Sequence, residues 1–371
     1  MDSHRIEFGQ KVVPYYFGFD CNAQIAGLLS QELADFGSVA VLIDDEVYEH
    51  AEKLIANLGN DLRIIPVRVV TSEPGKSLVN VESIVDQLIE RRVGRDSVVV
   101  AMGGGVLGNM AGLVAAMLFR GLPLVHLPTT PVAAFDAVIS EKQAVNLKSG
   151  KNLFGAYLTP SLIACDLAWL ETVEDREMLT GLAEMAKNVL AVMPDDIEGF
   201  LAAVDQRRAS PDQALTNLLR IGVRAKAPFL AVDPRERKEA VLFEYGHTVG
   251  HAIEFASAGR ISHGEAVAWG MLAAADVARE VCGLSAAEVE THHRLVDALS
   301  LTKTHLRTVA VATVKNLLTT DNKRGYLPLE QDEAAMVLLE SLGRPAQAHG
   351  RPLIAVPRQT VNRAIDTLVA S

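Results

Sequence analysis

His247 and His251 stand four residues apart in FEYGHTVGHAIE, and His263 follows in SHGEAV. On a helix, positions i and i+4 share one face, so two such imidazoles can converge on a single ion or anion. A third neutral imidazole and a carboxylate would complete a metal-binding set. A lone histidine is more often a satisfied residue of a buried helix, but three in 17 residues weigh against that. Spacing alone leaves open which imidazoles would ligate, because a histidine beside a cation can instead hold a substrate phosphate.

A second constellation is the glycine run AMGGGVLGNMAG, in which Gly103, Gly105 and Gly108 satisfy GxGxxG. It follows a predicted strand and opens a predicted helix, the setting in which glycine lets backbone amides approach a pyrophosphate. A tight strand-to-helix turn would read the same way. The dinucleotide fingerprint further expects an acidic residue about 20 positions later for a ribose hydroxyl. Residues 109–135 contain no Asp or Glu, so the standard fingerprint fails. A variant site remains open in which Asp44, followed by Asp45 and Glu46 at an earlier strand end, supplies the acid.

Polar residues gather again in FDAVISEKQAVNLKSGKN, with Asp136, Glu141, Lys142, Lys148, Lys151 and Asn152. Lysines in such a segment are usually solvated. This one follows the carboxyl ends of parallel strands, where α/β proteins bind ligands, so Lys142 and Lys151 are candidate phosphate or ribose contacts. In GLAEMAKN, Glu184 and Lys187 share a helix face at i and i+3. They are either a surface ion pair or a carboxylate and an ammonium aimed into a site.

The elements that must position these residues change in texture along the chain. SVAVLID (38–44), RIIPVRVV (63–70), DSVVVAM (96–102) and PLVHLP (123–128) read as strands alternating with helices such as VESIVDQLIERRV, which implies a parallel sheet. After about residue 175 long helical patterns take over: REMLTGLAEMAKNVLAV, QALTNLLRIGVRAKAPFLAV and GEAVAWGMLAAADVAREV. At 371 residues and 49% apolar, two domains are expected, 1–175 Rossmann-like α/β and 176–371 mainly α-helical. A cleft between domains is the natural place for a site. A net charge of −11 argues against a nucleic-acid surface or basic membrane patch, and for small-molecule chemistry. Cys21, Cys165 and Cys282 are too few and scattered for a disulfide framework, and MDSHRIEFGQ has no apolar stretch after a basic start, so a cytoplasmic protein without membrane insertion is expected.

Taken in order, GGGVLGN, PTT, Asp136 with Lys142, GKN, GLAEMAKN, GHTVGHAIE and HGEAVA resemble the dehydroquinate synthase-like sugar phosphate cyclases, over residues 40 to 340. The resemblance implies a Rossmann-like domain joined to a helical domain, with NAD and one divalent metal, zinc or cobalt, as cofactors. It implies Glu184, His247 and His263 as metal ligands and His251 as a phosphate contact. Asp44, Glu73, Lys76, Gly103, Gly104, Gly105, Asn109, Thr129, Thr130, Asp136, Lys151 and Asn152 fall at NAD-contacting positions. Asp136, Lys142, Lys187, Lys226 and Lys323 fall where substrate is bound, and Arg120 where a neighbouring subunit lends an arginine, which implies a homodimer.

Departures narrow the substrate. Dehydroquinate synthases carry aspartate where this chain has Asn109, arginine at the position of Ala240 and asparagine at that of Glu244. The dehydroquinate precursor bears a carboxylate that needs a charged partner, and Glu244 would repel it. A neutral sugar carrying only phosphate is expected. GNMAGL, EKQAVN, FEYGHTVGHAIE and DNKRGY most resemble the members that take D-glucose 6-phosphate and open aminoglycoside pathways. The implied reaction is oxidation at C4 by NAD, β-elimination of phosphate, re-reduction, ring opening and aldol closure to a carbocycle. Lys142, Glu244 and His251 are the candidate catalytic residues, Glu244 for a hydrogen bond or proton transfer to a sugar hydroxyl. Alternatives are a cyclase acting on sedoheptulose 7-phosphate or the dehydroquinate precursor, and a metal-dependent NAD alcohol dehydrogenase. A catalytically dead partner subunit would have no reason to keep the metal and lysine set.

Overall fold

Charge-free runs of valine, leucine and alanine form the central strands of the N-terminal part, where burial on both faces suits a parallel sheet. The computed structural model describes residues 1–59, 61–148, 150–318, 323 and 325–370; Asp321, Asn322 and Arg324 of DNKRGY lie outside the described residues. The chain divides into two units, Met1–Glu174 with Leu230–Arg235, and Asp175–Phe229 with Glu236–Ser371.

The first unit contains β1 (Asp2–Phe8), β2 (Lys11–Gly18), α1 (Asn22–Glu32), β3 (Ser38–Asp44), α2 (Tyr48–Ala56), β4 (Ile64–Val69), α3 (Leu78–Glu90), β5 (Ser97–Gly103), α4 (Gly105–Met117), β6 (Leu124–Pro128), β7 (Lys142–Leu147), β8 (Gly150–Tyr157) and β9 (Leu162–Asp166). Seven strands form one sheet in the order β1-β2-β9-β6-β5-β3-β4, parallel except for the β1–β2 hairpin. Successive side chains of β3 point to opposite faces. Ala40 and Leu42 join a core with residues of α3 and α4, whereas Val39, Val41 and Ile43 join one with residues of α1 and α2. Helices therefore cover both faces, as in doubly wound folds. Pro66 in β4 is tolerated because β4 is an edge strand, where a missing N–H breaks no ladder. β7 and β8 form a separate antiparallel hairpin.

The second unit is mainly helical, with α5 (Asp175–Val192), α6 (Ile197–Gln206), α7 (Pro211–Val232, up to Phe229), α8 (His247–Ala256), α9 (His263–Val281), α10 (Ala286–Ala298), α11 (Val311–Leu317) and α12 (Arg358–Ala370). Four short strands, β10 (Glu333–Met336), β11 (Leu339–Ser341), β12 (Arg344–Pro345) and β13 (Ile354–Pro357), pair as β10–β13 and β11–β12 within the mainly helical unit. The alanine-rich α9 packs against α5, α8, α10 and α12. Among the described residues no helix is long and apolar enough to cross a membrane.

Candidate active site

The chain runs from β3 out to β4 and then returns to β5 on the other side of β3, which makes the carboxyl ends of β3 and β5 a topological switch point. Ligands of open α/β sheets bind at such a crevice. Asp44 ends β3 and Gly103 ends β5. A Cβ on Gly103 would lie 2.9 Å from Asp44 Cβ and 2.7 Å from Leu107 Cδ2, and one on Gly104 would lie 3.0 Å from Thr130 Cγ2. Gly103 thus has no room for a side chain, while at Gly104 a methyl would press on the Thr130 side chain. Gly105 would meet nothing nearer than 3.8 Å, so what it offers is the first amide of α4. Asp44 accepts from Thr71 Oγ1 at 2.7 Å, which fixes its carboxylate.

Around this loop, the Thr129 amide donates to Gly103 O at 3.1 Å, while Thr129 Oγ1 is buried without a hydrogen-bond partner. A buried hydroxyl left so is costly unless a ligand or water reaches it. Thr130 begins the segment that leads into a π-helical turn, Ala133–Ala137, carrying Asp136. Asn109 bridges the loop to the hairpin, donating to Gly105 O at 2.9 Å and accepting from the Ala144 amide at 2.9 Å. It supports the loop's shape.

Glu73, Lys76, Lys151 and Asn152 form one network through Asn146, which sequence reasoning missed. Asn146 Nδ2 donates to Glu73 Oε1 at 2.9 Å, and Asn146 Oδ1 accepts from the Asn152 amide at 2.9 Å. Lys76 Nζ donates to Asn152 Oδ1 at 2.6 Å, and Lys151 Nζ lies 3.7 Å from Glu73. Burial lowers the Lys76 pKa against the opposing pull of Glu73. The signal for Asn146 was its place between Lys142 and Lys151. Lys142 opens β7 and is exposed within this unit. Arg120 is likewise exposed, in a left-handed turn in which Phe119, Arg120 and Gly121 all have positive φ.

In the second unit glycines bring three helices together. Gly246 precedes α8 with φ +76°, and a Cβ there would lie 2.8 Å from Met271 Cγ. A Cβ on Gly270 would lie 2.0 Å from Gly246 O, and one on Gly264 only 2.3 Å from Thr180 Cα. Ser262 and Glu265 form a capping box that starts α9 at His263. Glu184 of α5, His247 of α8 and His263 of α9 thereby place one ligand atom each within 4.8 Å of one another.

Hydrogen bonds on the far side of each ring orient these donors. His247 Nδ1 lies 3.1 Å from Tyr245 O, an acceptor, so Nδ1 carries the proton and Nε2 presents its lone pair. His263 Nδ1 donates to Glu254 Oε2 at 3.0 Å. Both Nε2 atoms approach Glu184 Oε1, at 3.5 and 3.2 Å, yet that buried oxygen makes no hydrogen bond. Lone pairs converging on a carboxylate repel unless a cation or proton lies among them, so the set fits a divalent metal with N/O ligands. Without one, His263 draws a proton: burial opposes the charge, but contacts with Glu184 and Glu254 outweigh it and lift the pKa to about 10. For His247 burial prevails and the pKa falls. Burial would raise the Glu184 pKa, but Lys187, His247 and His263 together hold it well below the usual carboxylate range.

Beside this triad lies a cationic group. Lys187 pairs with Glu184 Oε2, buried rather than at the surface. The ammonium groups of Lys187 and Lys226 lie 5.7 and 5.5 Å from the ring centre of Phe243, a residue the sequence reading passed over although it opens the FEYGH segment. Lys323 Nζ lies 3.5 Å from Glu244 Oε2. All three lysines are at most 3% exposed, an environment that favours a bound anion. The His251 ring lies 5.0 Å from that of His247, and burial, then the neighbouring His247, lowers its pKa to about 3. Ala240 is buried and supplies no cation.

Comparison with known proteins agrees. The 3-dehydroquinate synthase N-terminal and C-terminal family models match residues 66–180 and 181–324. The chain is 40% identical over 361 residues to 2-deoxy-scyllo-inosose synthase of Streptomyces lividus, covering 96% of this chain and 93% of that one. It is also 40% identical over 372 residues to the enzyme of that name from Streptoalloteichus tenebrarius, covering 99% and 95%. A crystal structure of 2-deoxy-scyllo-inosose synthase complexed with carbaglucose-6-phosphate, NAD+ and Co2+ superposes with a TM-score of 0.89 at 31% identity, covering 98% of this chain and 99% of that one. The chain belongs to the 3-dehydroquinate synthase family of sugar phosphate cyclases, on the branch of the 2-deoxy-scyllo-inosose synthases.

Proposed function

We propose that the chain converts D-glucose 6-phosphate to 2-deoxy-scyllo-inosose and inorganic phosphate, as a phosphate-eliminating carbon–oxygen lyase acting in the cytoplasm as a homodimer. On this reading it performs the first step of 2-deoxystreptamine aminoglycoside antibiotic biosynthesis. The observation that carries the proposal is the convergence of Glu184, His247 and His263 beside buried Lys187, Lys226 and Lys323, in a chain whose relatives bear that name. Ala240 and Glu244 favour a substrate without a carboxylate, since no cation stands at position 240 and an anion stands at 244.

In this reading residues 1–175 bind NAD and residues 176–371 bind metal and sugar phosphate. When bound, NAD accepts and returns a hydride, and zinc or cobalt held by Glu184, His247 and His263 polarises the C4 oxygen. The amides opening α4 after Gly103 and Gly104 serve the pyrophosphate, Asp44 a ribose hydroxyl, and Glu73, Lys76, Thr129, Thr130, Asp136, Lys151 and Asn152 the rest of the dinucleotide. Asn109 acts through the loop. Lys187, Lys226, Lys323 and His251 hold the phosphate and stabilise it as it leaves, with Lys142 placing sugar hydroxyls. Glu244, 3.5 Å from Lys323, hydrogen-bonds a sugar hydroxyl and moves its proton during elimination or ring opening. Arg120 reaches the neighbouring subunit's site.

The test is phosphate release from the purified protein with NAD and Co2+ or Zn2+, offered glucose 6-phosphate, sedoheptulose 7-phosphate or the dehydroquinate precursor. Phosphate and a cyclic ketone from glucose 6-phosphate, without accumulating NADH, are expected. Net NADH without phosphate would mean a simple dehydrogenase, and turnover of another sugar phosphate alone would overturn the reading of Ala240 and Glu244.

A further inference from the structure

On α8, His247, His251 and Glu254 stand at i, i+4 and i+7 and so share one face. Glu254 lies in the last turn of this helix, where the partial negative charge of the unpaired carbonyls disfavours a carboxylate. Its side chain is only 15% exposed, and its Oε2 lies 3.0 Å from His263 Nδ1. An ionised carboxylate can only accept, so it holds the proton on Nδ1 and turns the Nε2 lone pair toward Glu184. The corresponding acceptor for His247 is a neutral backbone carbonyl, that of Tyr245, itself fixed by a fully buried tyrosine whose hydroxyl lies 2.8 Å from His292 Nε2. The two histidines therefore differ in support, one resting on a dipole and the other on a full negative charge.

We infer that Glu254 is a positioning residue that orients His263, makes its imidazole the stronger donor of the two, and adds a second negative charge to the divalent-metal site. This rests on reading Glu184, His247 and His263 as the metal ligands. A carboxylate behind a ligating imidazole fixes its tautomer and raises its basicity, and losing such a group typically weakens metal binding by about 10- to 100-fold.

The experiment measures Co2+ and Zn2+ affinity by chelator competition for the wild type, Glu254→Gln, Glu254→Ala and His263→Ala, together with the visible d–d spectrum of the Co2+ forms. Glu254→Gln keeps shape and an acceptor but loses the charge, so about a tenfold loss of affinity and a shifted spectrum are expected; Glu254→Ala should approach a hundredfold loss. His263→Ala should bind more weakly still. If His263→Ala weakens binding but both Glu254 variants match the wild type, this inference is wrong while the metal reading stands. Wild-type affinity in His263→Ala would refute the metal reading itself. Nitrogen-15 NMR of histidine-labelled wild-type protein with Zn2+ gives a check independent of any variant's folding. It should place the His263 proton on Nδ1, and a proton on Nε2 would overturn the inference.

Discussion

Replacing Gly264 with alanine adds one methyl group where the structure leaves no space. Its Cβ would lie 2.3 Å from Thr180 Cα and 3.1 Å from Thr180 C, against the 3.4 Å at which ordinary contact begins. Backbone atoms cannot swing aside as a side chain can, so α5 and α9 must part by about 1 Å, the shift that restores ordinary packing. Thr180 is one helical turn before Glu184, and Gly264 is the residue after His263, so the displacement falls on two of the three candidate ligands. Metal sites tolerate departures of about 0.2 Å in ligand distance, several times less than this. Overpacking costs about 1–3 kcal/mol, and the helix-propensity gain from glycine to alanine returns at most about 1. Gly264→Ala should thus lower the urea midpoint of the metal-free protein and weaken Co2+ binding at least about tenfold, as when ligands lose their support. Gly199 in α6 is the matched control, since a Cβ there meets nothing within 4 Å. Gly199→Ala should stabilise by about 0.5–1 kcal/mol and leave metal binding alone. If Gly264→Ala kept both wild-type stability and metal affinity, close helix approach would not be what assembles the triad.

Phe243→Leu should raise the KM for sugar phosphate about 2- to 30-fold, the equivalent of about 0.5–2 kcal/mol of cation–π interaction with Lys187 and Lys226, and an unchanged KM would separate the ring from phosphate binding. Asn146→Ala removes a link between Glu73 and Asn152, so NAD titration by fluorescence should show weaker binding and urea unfolding a loss of about 1–3 kcal/mol. Glu244→Gln should cut kcat at least about tenfold with little change in the unfolding midpoint, as removal of a general acid–base group does; near-normal turnover would remove its proposed role. Burial lowers His126 and His292 to about 4, so each favours folding above the unfolded value near 6.5, an advantage lost as pH falls toward 4. Urea midpoints at pH 7 and 4.5 should therefore differ, with each histidine contributing about 3 kcal/mol over the full window. A flat profile over that range in the metal-free protein would contradict this.

The parallel sheet was legible because its central strands are uninterrupted apolar runs: SVAVLID coincides with β3, and DSVVVAM and PLVHLP fall within a residue of β5 and β6. α5, α7 and α9 were legible from periodicity over more than four turns each. The β1–β2 hairpin and β9 were not: β1 mixes charged with apolar residues, Pro14 interrupts β2, and β9 is only five residues long. β7 and β8 read as a polar loop because half their residues face out with lysine, asparagine and glycine among them. At the site, the spacing of the histidines pointed to a metal, while the choice of Glu184, His247 and His263 and of the buried lysines came from the family resemblance. Asn146, Phe243 and Glu254 escaped because their roles come from partners distant in sequence or on another element, and no local pattern encodes these. The return of Leu230–Arg235 to the first unit is likewise a long-range outcome, marked by the Gly9 amide donating to Leu230 O at 3.2 Å.

Glycine illustrates the same limit. Gly103–Gly105 and the pair Gly246 and Gly250 look alike in sequence, each a glycine cluster opening a helix, yet a Cβ would meet different things in the two places. On Gly103 and Gly104 it would meet side chains of Leu107, Asp44 and Thr130 around the switch point, so glycine there keeps a ligand crevice open. On Gly250 it would meet Ala266 O at 3.0 Å and Val267 Cα at 3.1 Å, the backbone of α9, so glycine there sets the distance between helices. Of the first kind, Gly104 can be probed by ligand affinity with the fold intact, because the Thr130 side chain can give way. The second couples affinity to stability, because moving the backbone moves His247 and His263 with it. Cofactor and metal binding should accordingly respond differently to the same Gly→Ala change: Gly104→Ala should weaken NAD binding at nearly constant stability, whereas Gly250→Ala should lower stability and metal affinity together.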